Sequence, residues 1–251
     1  MGRASSALGD KMTVKNDHRT KPLSALRSCS LFLGLPEKDI ETIAAKMELA
    51  TAPRGRLIMQ HGDKTTETYF LLSGAVIGQL VAQNGREILF TEIGGAGYFG
   101  ELAALDGAAR SITISAVSDC SFMTLSDKNF LQVLARYLQV AINLARDLAA
   151  RLRQMNDRVF GLVVHDVETR VRIRHSQLAQ EQEQLVTGGV IENSPTHEAM
   201  ASFIGSNREA VSRAIARLNK AGIIASSRQR MVIQDLDKLI FPLDGLPVGH
   251  R

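Results

Sequence analysis

The stretch GYFGELAALDGAARSIT, residues 97–113, places one acid and one base at the two ends of a run of small residues. Glu101 is the acid, and Arg110, followed at once by Ser111, is the base. The two charges fit either a salt bridge or the two halves of a receptor for a molecule with both hydroxyls and a negative charge. The small residues between them let the backbone come close to such a molecule.

The stretch belongs to a region with the pattern of a β domain. From residue 54 to 126, short β-branched or aromatic runs alternate with Gly, as in TYFLLSGAVIGQLV and SITISAVS. The turn at Gln83–Gly85 reads QNG, and Asn-Gly is a strong hairpin signal. Many short strands without intervening helices predict a sandwich or jelly-roll barrel. Residues 23–50 precede it with helical spacing, and Pro36 predicts a helix start.

The β pattern gives way to a 3.6-residue period from Asp127 to His165. One set of positions has the alternating spacing of a heptad seam, which favours a paired helix and includes a single Asn that can fix its register. A second set is also apolar, so we expect one face against a twin helix and the other against the barrel. A long core helix inside a monomer remains the alternative. The seam comprises Leu138, Ile142, Ala145, Ala149, Leu152, Asn156, Val159 and Val163, and the second set comprises Ala141, Leu144, Leu148, Met155 and Leu162.

The last third of the chain has the pattern of a helix-turn-helix. After a helical run over Val167–Gln184, Thr196 is predicted to cap a short helix that ends before Gly205. Ser206 or Asn207 then caps a second helix, Arg208–Lys220, and the segment IIASSRQRMVIQD reads as two strands of a wing. Between residues 206 and 230, six bases face one acid, which indicates an anionic partner.

Composition excludes several classes of protein. The 251 residues are 45% apolar, enough for a core, and carry a net charge of +4. The two cysteines and six scattered histidines lack the spacing of a metal or iron–sulfur site, so we expect no cofactor and no metal-dependent enzyme. We find neither a membrane-span run nor a secretory signal, and expect a cytoplasmic protein without a membrane partner.

Two motifs resemble those of the cyclic-AMP receptor protein (catabolite activator) and FNR family of bacterial transcription factors. FGELAALDGAARS resembles the family's phosphate-binding cassette, and GSNREAVSR resembles its DNA-reading segment. The resemblance implies an α+β chain with a cyclic-nucleotide-binding jelly roll, a long coiled-coil dimerisation helix and a winged helix-turn-helix. We assign residues 1–22 to a flexible arm, 23–137 to the jelly roll, 138–165 to the dimerisation helix, 166–239 to the DNA-binding domain and 240–251 to a tail.

The resemblance assigns roles to the cassette. Glu101 accepts the ribose 2′-hydroxyl and Arg110 neutralises the phosphate of a cyclic nucleotide, while Ser111 donates a hydroxyl. Gly100 and Leu102 offer backbone N–H groups. The segment between acid and base is one residue shorter than in the best-known member, which can reshape the loop without removing either charge.

The resemblance also points to part of the long helix as the base pocket. The family's cyclic-AMP sensors commonly place adjacent Thr and Ser against the adenine, and Met155 and Asn156 stand at those positions here. Met offers no useful hydrogen bond, whereas Asn both donates and accepts. Cyclic AMP is therefore the expected ligand and cyclic GMP a second candidate. Asn156 can serve the base, the helix register or both, and Arg151 can approach the nucleotide or remain solvated.

On DNA, the resemblance implies base contacts by Arg208, Glu209 and Arg213, since Arg bonds guanine and Glu accepts from cytosine. Ser212 varies the pattern towards the FNR-like form and can alter one base preference. The implied target is double-stranded DNA with palindromic half-sites, bound by a homodimer, with RNA polymerase as a further candidate partner. Phosphate contacts or plain surface positions are expected for Ser206, Asn207, Lys220, Arg228 and Arg230.

The resulting hypothesis is a cyclic-nucleotide-responsive, sequence-specific and dimeric transcription regulator that is not an enzyme. The first alternative keeps the DNA-binding scaffold but senses a gas or redox signal without a cyclic nucleotide. A haem sensor would need axial ligands, for which His18, His61 and His165 are open candidates. The second alternative, a metal-dependent jelly-roll enzyme, would need converging ligands in the barrel, where only His61 falls.

Overall fold

The computed structural model describes residues 20–81 and 87–240, which form two compact units. The first unit holds residues 20–80 and 90–149, and the second holds 81, 87–89 and 150–240. The QNG turn, most of the N-terminal arm and nearly all of the tail lie outside the described residues. Among the described residues, every helix is too short or too polar to cross a membrane.

The first unit is built on two four-stranded sheets, with strand orders β1-β8-β3-β6 and β2-β7-β4-β5. The pairs β1–β8, β3–β8, β3–β6, β2–β7 and β4–β7 are antiparallel; Phe70 of β3, for example, lies opposite Met123 of β8. The strands are β1 (Glu48–Ala52), β2 (Leu57–Met59), β3 (Thr68–Ser73), β4 (Val76–Val81), β5 (Glu87–Ile93), β6 (Tyr98–Phe99), β7 (Thr113–Ala116) and β8 (Cys120–Leu125).

Aromatic packing holds β3 against β6. Tyr69 and Phe99 stack with ring centroids 5.0 Å apart, and Phe122 meets both rings edge-on. Such pairs stabilise a core beyond their buried area. Because β6 ends at Phe99, this packing positions Gly100 and the acid that follows it beside the start of β3.

Helices α1 (Thr20–Ser28) and α2 (Glu37–Ala44) precede the sheets, and α2 begins directly after Pro36 as predicted. The strand β1 differs from the sequence interpretation, which continued helical spacing to residue 50. Its buried members are alanines, Ala50 and Ala52, and small residues carry little strand propensity. Pairing with β8 therefore decides its conformation rather than local preference.

The helical period from Asp127 onward contains two helices, α4 (Asp127–Arg136) and α5 (Leu138–Val164), separated by Tyr137. Tyr137 has φ −116° and ψ 89°, outside the helical region. A one-residue break without Gly or Pro leaves the period on both sides intact, so the pattern did not reveal it.

The two predicted faces of α5 differ in burial along the first part of the helix only. Leu144 of the second apolar set is 4% exposed, and Leu148 packs against the same core. The heptad positions, apart from the half-buried Ala149, are exposed in the single chain. Leu138 is 73% exposed, Leu152 63%, Val159 57% and Val163 80%. Met155 and Leu162 of the second set are also exposed, at 41% and 50%, so the structure does not place these two against the barrel.

The second unit contains the end of α5 and the elements that follow it, and two of its helices have side-chain caps where the sequence predicted them. Thr196 caps α7 through Ala199 N–H, and Asn207 rather than Ser206 caps α8 through Ala210 N–H. The strands form one antiparallel sheet in the order β10-β11-β9. The elements are α6 (Val167–Glu181), β9 (Val190–Glu192), α7 (His197–Ile204), α8 (Arg208–Lys220), β10 (Ile224–Ser227), β11 (Arg230–Ile233) and α9 (Leu236–Ile240).

The core of this unit is apolar apart from one histidine. Val211 and Leu218 of α8 and Met231 of β11 are fully buried, and they fix α8 with its other face outward. His175 of α6 is 2% exposed, and burial lowers its pKa to about 4. The imidazole is therefore neutral near pH 7 and adds no charge to the core.

Candidate functional site

Arg110 is the centre of the site in the first unit. It is 2% exposed, and its guanidinium donates from Nε to Thr65 Oγ1 at 2.9 Å and from Nη1 to the Gly100 carbonyl at 3.0 Å. Nη2 donates to the Glu67 carbonyl at 2.9 Å and lies 3.4 Å from Glu67 Oε2. Arg110 lies on the loop that follows α3 (Glu101–Asp106), and its partners come from two places: the loop before β3 and Gly100, which directly precedes α3.

The backbone of Arg110 is fixed as firmly as its side chain. Its N–H donates to the Asp63 carbonyl at 2.8 Å, and its own carbonyl accepts from Gly62 N–H at 2.9 Å. These two backbone hydrogen bonds join the loop before β3 to the loop after α3, and we call the joined loops the platform. The guanidinium therefore reaches its buried position from a rigid base, which reduces the ordering entropy that a ligand contact would otherwise cost.

The platform combines one buried cation, Arg110, with several acidic neighbours. Burial lowers the pKa of Arg110, while Tyr69, Glu67, Asp63 and Glu101 act in the opposite direction. The guanidinium remains charged, because an arginine stays protonated in proteins. Its carbon lies 5.8 Å from the centroid of the Tyr69 ring, whose hydroxyl pKa is raised by burial and then by Glu67.

Gly100 is required by the geometry of this platform. It has φ +84°, and a Cβ there would lie 2.7 Å from the Glu67 carbonyl and 2.8 Å from Arg110 Nη1. Only glycine combines that backbone angle with that approach. Glu101, next in the chain, is 3% exposed at the first position of α3.

The structure brings together part of the predicted nucleotide site. Gly100 and Arg110 are in contact, and Glu101 contributes to the field at the guanidinium. Leu102 and Ser111 are exposed beside them. Arg151, Met155 and Asn156 are exposed on the part of α5 that belongs to the second unit, and their role at a base stays a prediction.

Sequence reasoning missed Thr65 and Glu67. Both lie in GDKTTET, the turn that leads into β3, and they precede Arg110 by 45 and 43 positions. The Gly-Asp pair at its start signals a turn, but nothing in a single sequence signals that this turn meets the cassette. Their contact depends on strand pairing across the barrel.

In the second unit, α8 presents its predicted base-reading residues to solvent. Arg208, Glu209 and Arg213 are exposed, since the buried residues of α8 occupy its other face. The Asn207 side chain caps the helix, accepting from Ala210 N–H at 2.8 Å. The Ser212 hydroxyl is 2.8 Å from His197 Nδ1 on α7, a contact that the sequence did not reveal.

The other predicted phosphate contacts have varied surroundings. Ser206 is half-buried in the turn and donates its N–H to the Ala201 carbonyl at 2.9 Å. Lys220 and Arg228 are exposed. Arg230 is also exposed but lies 3.2 Å from Glu192 of the neighbouring strand, a surface ion pair of small energetic weight.

Known families match both units. Residues 50–137 match the cyclic nucleotide-binding domain, and residues 147–240 match the Crp-like helix-turn-helix domain. The CRP-like cAMP-activated global transcriptional regulator of Mycobacterium tuberculosis is 27% identical over 215 residues, covering 85% of this chain and 96% of the relative. The cAMP-activated global transcriptional regulator CRP of Salmonella typhimurium is 22% identical over 206 residues, covering 81% and 98%.

Solved structures agree with these matches. The catabolite activator protein of Thermus thermophilus is 27% identical, with a TM-score of 0.51 over 84% of this chain and 96% of that one. A CooA mutant from Carboxydothermus hydrogenoformans is 17% identical and gives a TM-score of 0.71 over 91% and 96%, which supports the fold. The predicted α+β fold, with a β domain, a long helix and a helix-turn-helix followed by a small sheet, is confirmed. With both domains matched in this order, the chain belongs to the CRP/FNR family of transcription regulators, which bind DNA and are not enzymes.

Proposed function

We propose that this protein is a dimeric, sequence-specific transcription regulator that a cyclic nucleotide shifts to its DNA-binding state. Cyclic AMP is the expected ligand, and cyclic GMP is the second candidate. The observation that carries the proposal is the buried guanidinium of Arg110 in the cassette, held by Thr65, Gly100 and Glu67. Because DNA is the target, the protein acts in the cytoplasm.

The cassette offers what a cyclic phosphodiester needs. Arg110 supplies a positive charge for the single phosphate charge, and charge-assisted bonds of this kind are the strong ones. Glu101 stands beside it as the acceptor for the ribose 2′-hydroxyl, and the exposed Ser111 adds a donor. Gly100 and Leu102 contribute backbone N–H groups. For the base, we propose contacts from Arg151, Met155 and Asn156.

The exposed seam of α5 supports a homodimer. Its apolar members cover about four heptads and are open to solvent in the single chain, an arrangement that a second copy of the helix would bury. Relatives named as CRP-like regulators belong to a family whose members dimerise. A two-fold dimer would place two copies of α8 on palindromic half-sites.

Contacts inside the second unit join the long helix α5 directly to α7, the first helix of the helix-turn-helix. Arg158 of α5 donates to the Phe203 carbonyl at 3.2 Å, near the C-terminal end of α7. Its guanidinium lies 4.5 Å from the Phe203 ring centroid, and that of Arg174 lies 3.9 Å from the same ring. Burial, and then Arg174, lower the pKa of Arg158. Displacement of α5 would therefore be transmitted to α7.

A ligand shifts such a system only by the difference in its affinity for the two states. We therefore expect a nucleotide that binds the cassette and α5 together to change DNA affinity, and DNA to change nucleotide affinity by the same factor. On a bound promoter, RNA polymerase would be the next partner.

Calorimetric titration of the full chain with cyclic AMP and cyclic GMP, followed by DNA binding with and without each, tests the proposal. We expect saturable binding of at least one nucleotide and a five- to 150-fold change in DNA affinity, the ordinary range of allosteric coupling. DNA affinity that ignores both nucleotides but changes with a gas or an oxidant would instead establish the alternative signal.

Glu209→Ala tests base reading by α8. Because Glu accepts a hydrogen bond from the cytosine amino group, we expect the variant to lose about 1–3 kcal/mol of discrimination at one base position. The measurement compares affinities for a duplex selected by the wild-type protein and its single-position substitutions.

Glu198→Ala removes an exposed carboxylate from α7 and is the matched control. It is expected to leave discrimination at that position unchanged. A loss for Glu209→Ala of equal size on every duplex would contradict base reading and leave Glu209 a helix-positioning role.

A further inference from the structure

Glu67 is a carboxylate that contacts the buried cation but is itself about half exposed. Its side chain is 48% exposed, whereas that of Arg110 is 1% exposed. The carboxylate Oε2 lies 3.4 Å from Arg110 Nη2. Glu67 lies outside the cassette motif, which begins at Phe99, so the motif assigns it no role in the site.

The bonds to the guanidinium fall into two groups. Three are short, between 2.9 and 3.0 Å, and lead to the Thr65 hydroxyl and to the carbonyls of Gly100 and Glu67. The fourth, to the Glu67 carboxylate, is longer at 3.4 Å. A guanidinium has five N–H donors, so these four contacts leave one Nη1–H beyond them. The short bonds position the cation, and the long one is the easiest to replace.

A phosphate that enters the site competes with the Glu67 carboxylate for the guanidinium of Arg110. The phosphate can form a bidentate pair by taking the remaining Nη1–H and the Nη2–H that the carboxylate holds. A half-exposed side chain can turn into water at little cost, whereas the backbone carbonyls cannot move away. Until it turns away, the carboxylate repels the arriving anion.

We infer that Glu67 is a specificity-determining residue that competes with the ligand phosphate for Arg110 and selects against ligands of higher negative charge. The inference rests on the proposed role of Arg110 as the phosphate partner. Repulsion scales with the charge of the ligand, so a phosphomonoester dianion is disfavoured more than a cyclic phosphodiester monoanion. The residue thus favours cyclic nucleotides over the linear nucleotide monophosphates derived from them.

The test is Glu67→Gln, which keeps an oxygen that can accept from Nη2 but removes the charge. We expect cyclic AMP to bind the full-length variant about two- to fivefold more tightly than the wild type, the range of a partly exposed charge interaction. The gain for 5′-AMP is expected to be larger. Titrations are made at pH 8, where the monoester is fully dianionic since its second pKa is about 6.

Glu48→Gln is the matched control. Glu48 is exposed at the start of β1 in the same unit, and its replacement changes the net charge equally. We expect its nucleotide affinities to equal those of the wild type. Thermal unfolding of both variants verifies that they fold, and Glu67→Ala provides a second variant with the same expected direction.

Weaker or unchanged binding of cyclic AMP to Glu67→Gln would overturn the inference while leaving the proposed function intact. Equal gains for cyclic AMP and 5′-AMP would also overturn it, since charge selection would then be lost. If neither the wild type nor the variant binds a cyclic nucleotide, the proposed function and the inference fall together. An equal gain in nucleotide affinity for Glu48→Gln would show that the effect comes from net charge and would refute a role for Glu67.

Discussion

Replacing Arg110 with glutamine is expected to weaken cyclic-nucleotide binding by at least about a hundredfold, since a charge-assisted bidentate pair is lost inside a buried site. Glutamine can keep one of the hydrogen bonds to the Gly100 and Glu67 carbonyls but brings no positive charge. With Glu67 and Glu101 left nearby, the pocket then repels the phosphate. Calorimetric titration of wild type and variant measures the effect.

The buried position of Arg110 requires a second readout, because the glutamine variant also leaves at least one of the two carbonyls without its donor. We expect the variant to unfold at a lower temperature, by an amount corresponding to about 1–3 kcal/mol per unsatisfied buried group. Arg110→Lys keeps the charge and separates the two effects; its affinity should fall between those of the wild type and Arg110→Gln. Arg54→Gln removes an exposed arginine of the same unit and is the control. An unchanged titration for Arg110→Gln would refute the cassette assignment.

The elements that the sequence predicted well are those whose signals are local. Pro36, Thr196 and Asn207 each mark the start of a helix because a cap acts within one turn. The acid–base pair of the cassette is local too, since Arg110 follows Glu101 by nine positions. The predicted role of the pair in binding a nucleotide, however, was inferred from the family resemblance, because a pair of charges alone also fits a salt bridge.

What the sequence did not predict depends on contacts between distant segments. Thr65 and Glu67 reach Arg110 only because β3 and β6 pair and bring two loops together. The contact of Ser212 with His197 likewise requires the packing of α8 on α7. Strand β1 is decided by its partner rather than by its alanines. In each case tertiary contacts between distant segments decide the structure, and no pattern within one segment reveals them.

The exposed seam of α5 leads to the second large effect. Leu152 is 63% exposed in the single chain and lies at the middle of the heptad set. In a paired helix it would be buried against its counterpart, so an Asp there would place two carboxylates in an apolar interface. Desolvation and repulsion act together, and neither charge finds a basic partner among the apolar seam positions.

Leu152→Asp is therefore expected to raise the dimer dissociation constant by at least about a hundredfold. Binding to a palindromic duplex should weaken by a similar factor, because a monomer carries only one α8 and loses the linked second contact. Sedimentation measures the first effect and DNA titration the second. Gln154→Asp adds the same charge at an exposed position off the seam and should leave both values near wild type. A dimer that survives Leu152→Asp with unchanged operator affinity would show that the twin helix pairs through another face, and the two-headed mode of DNA binding would then need a different interface.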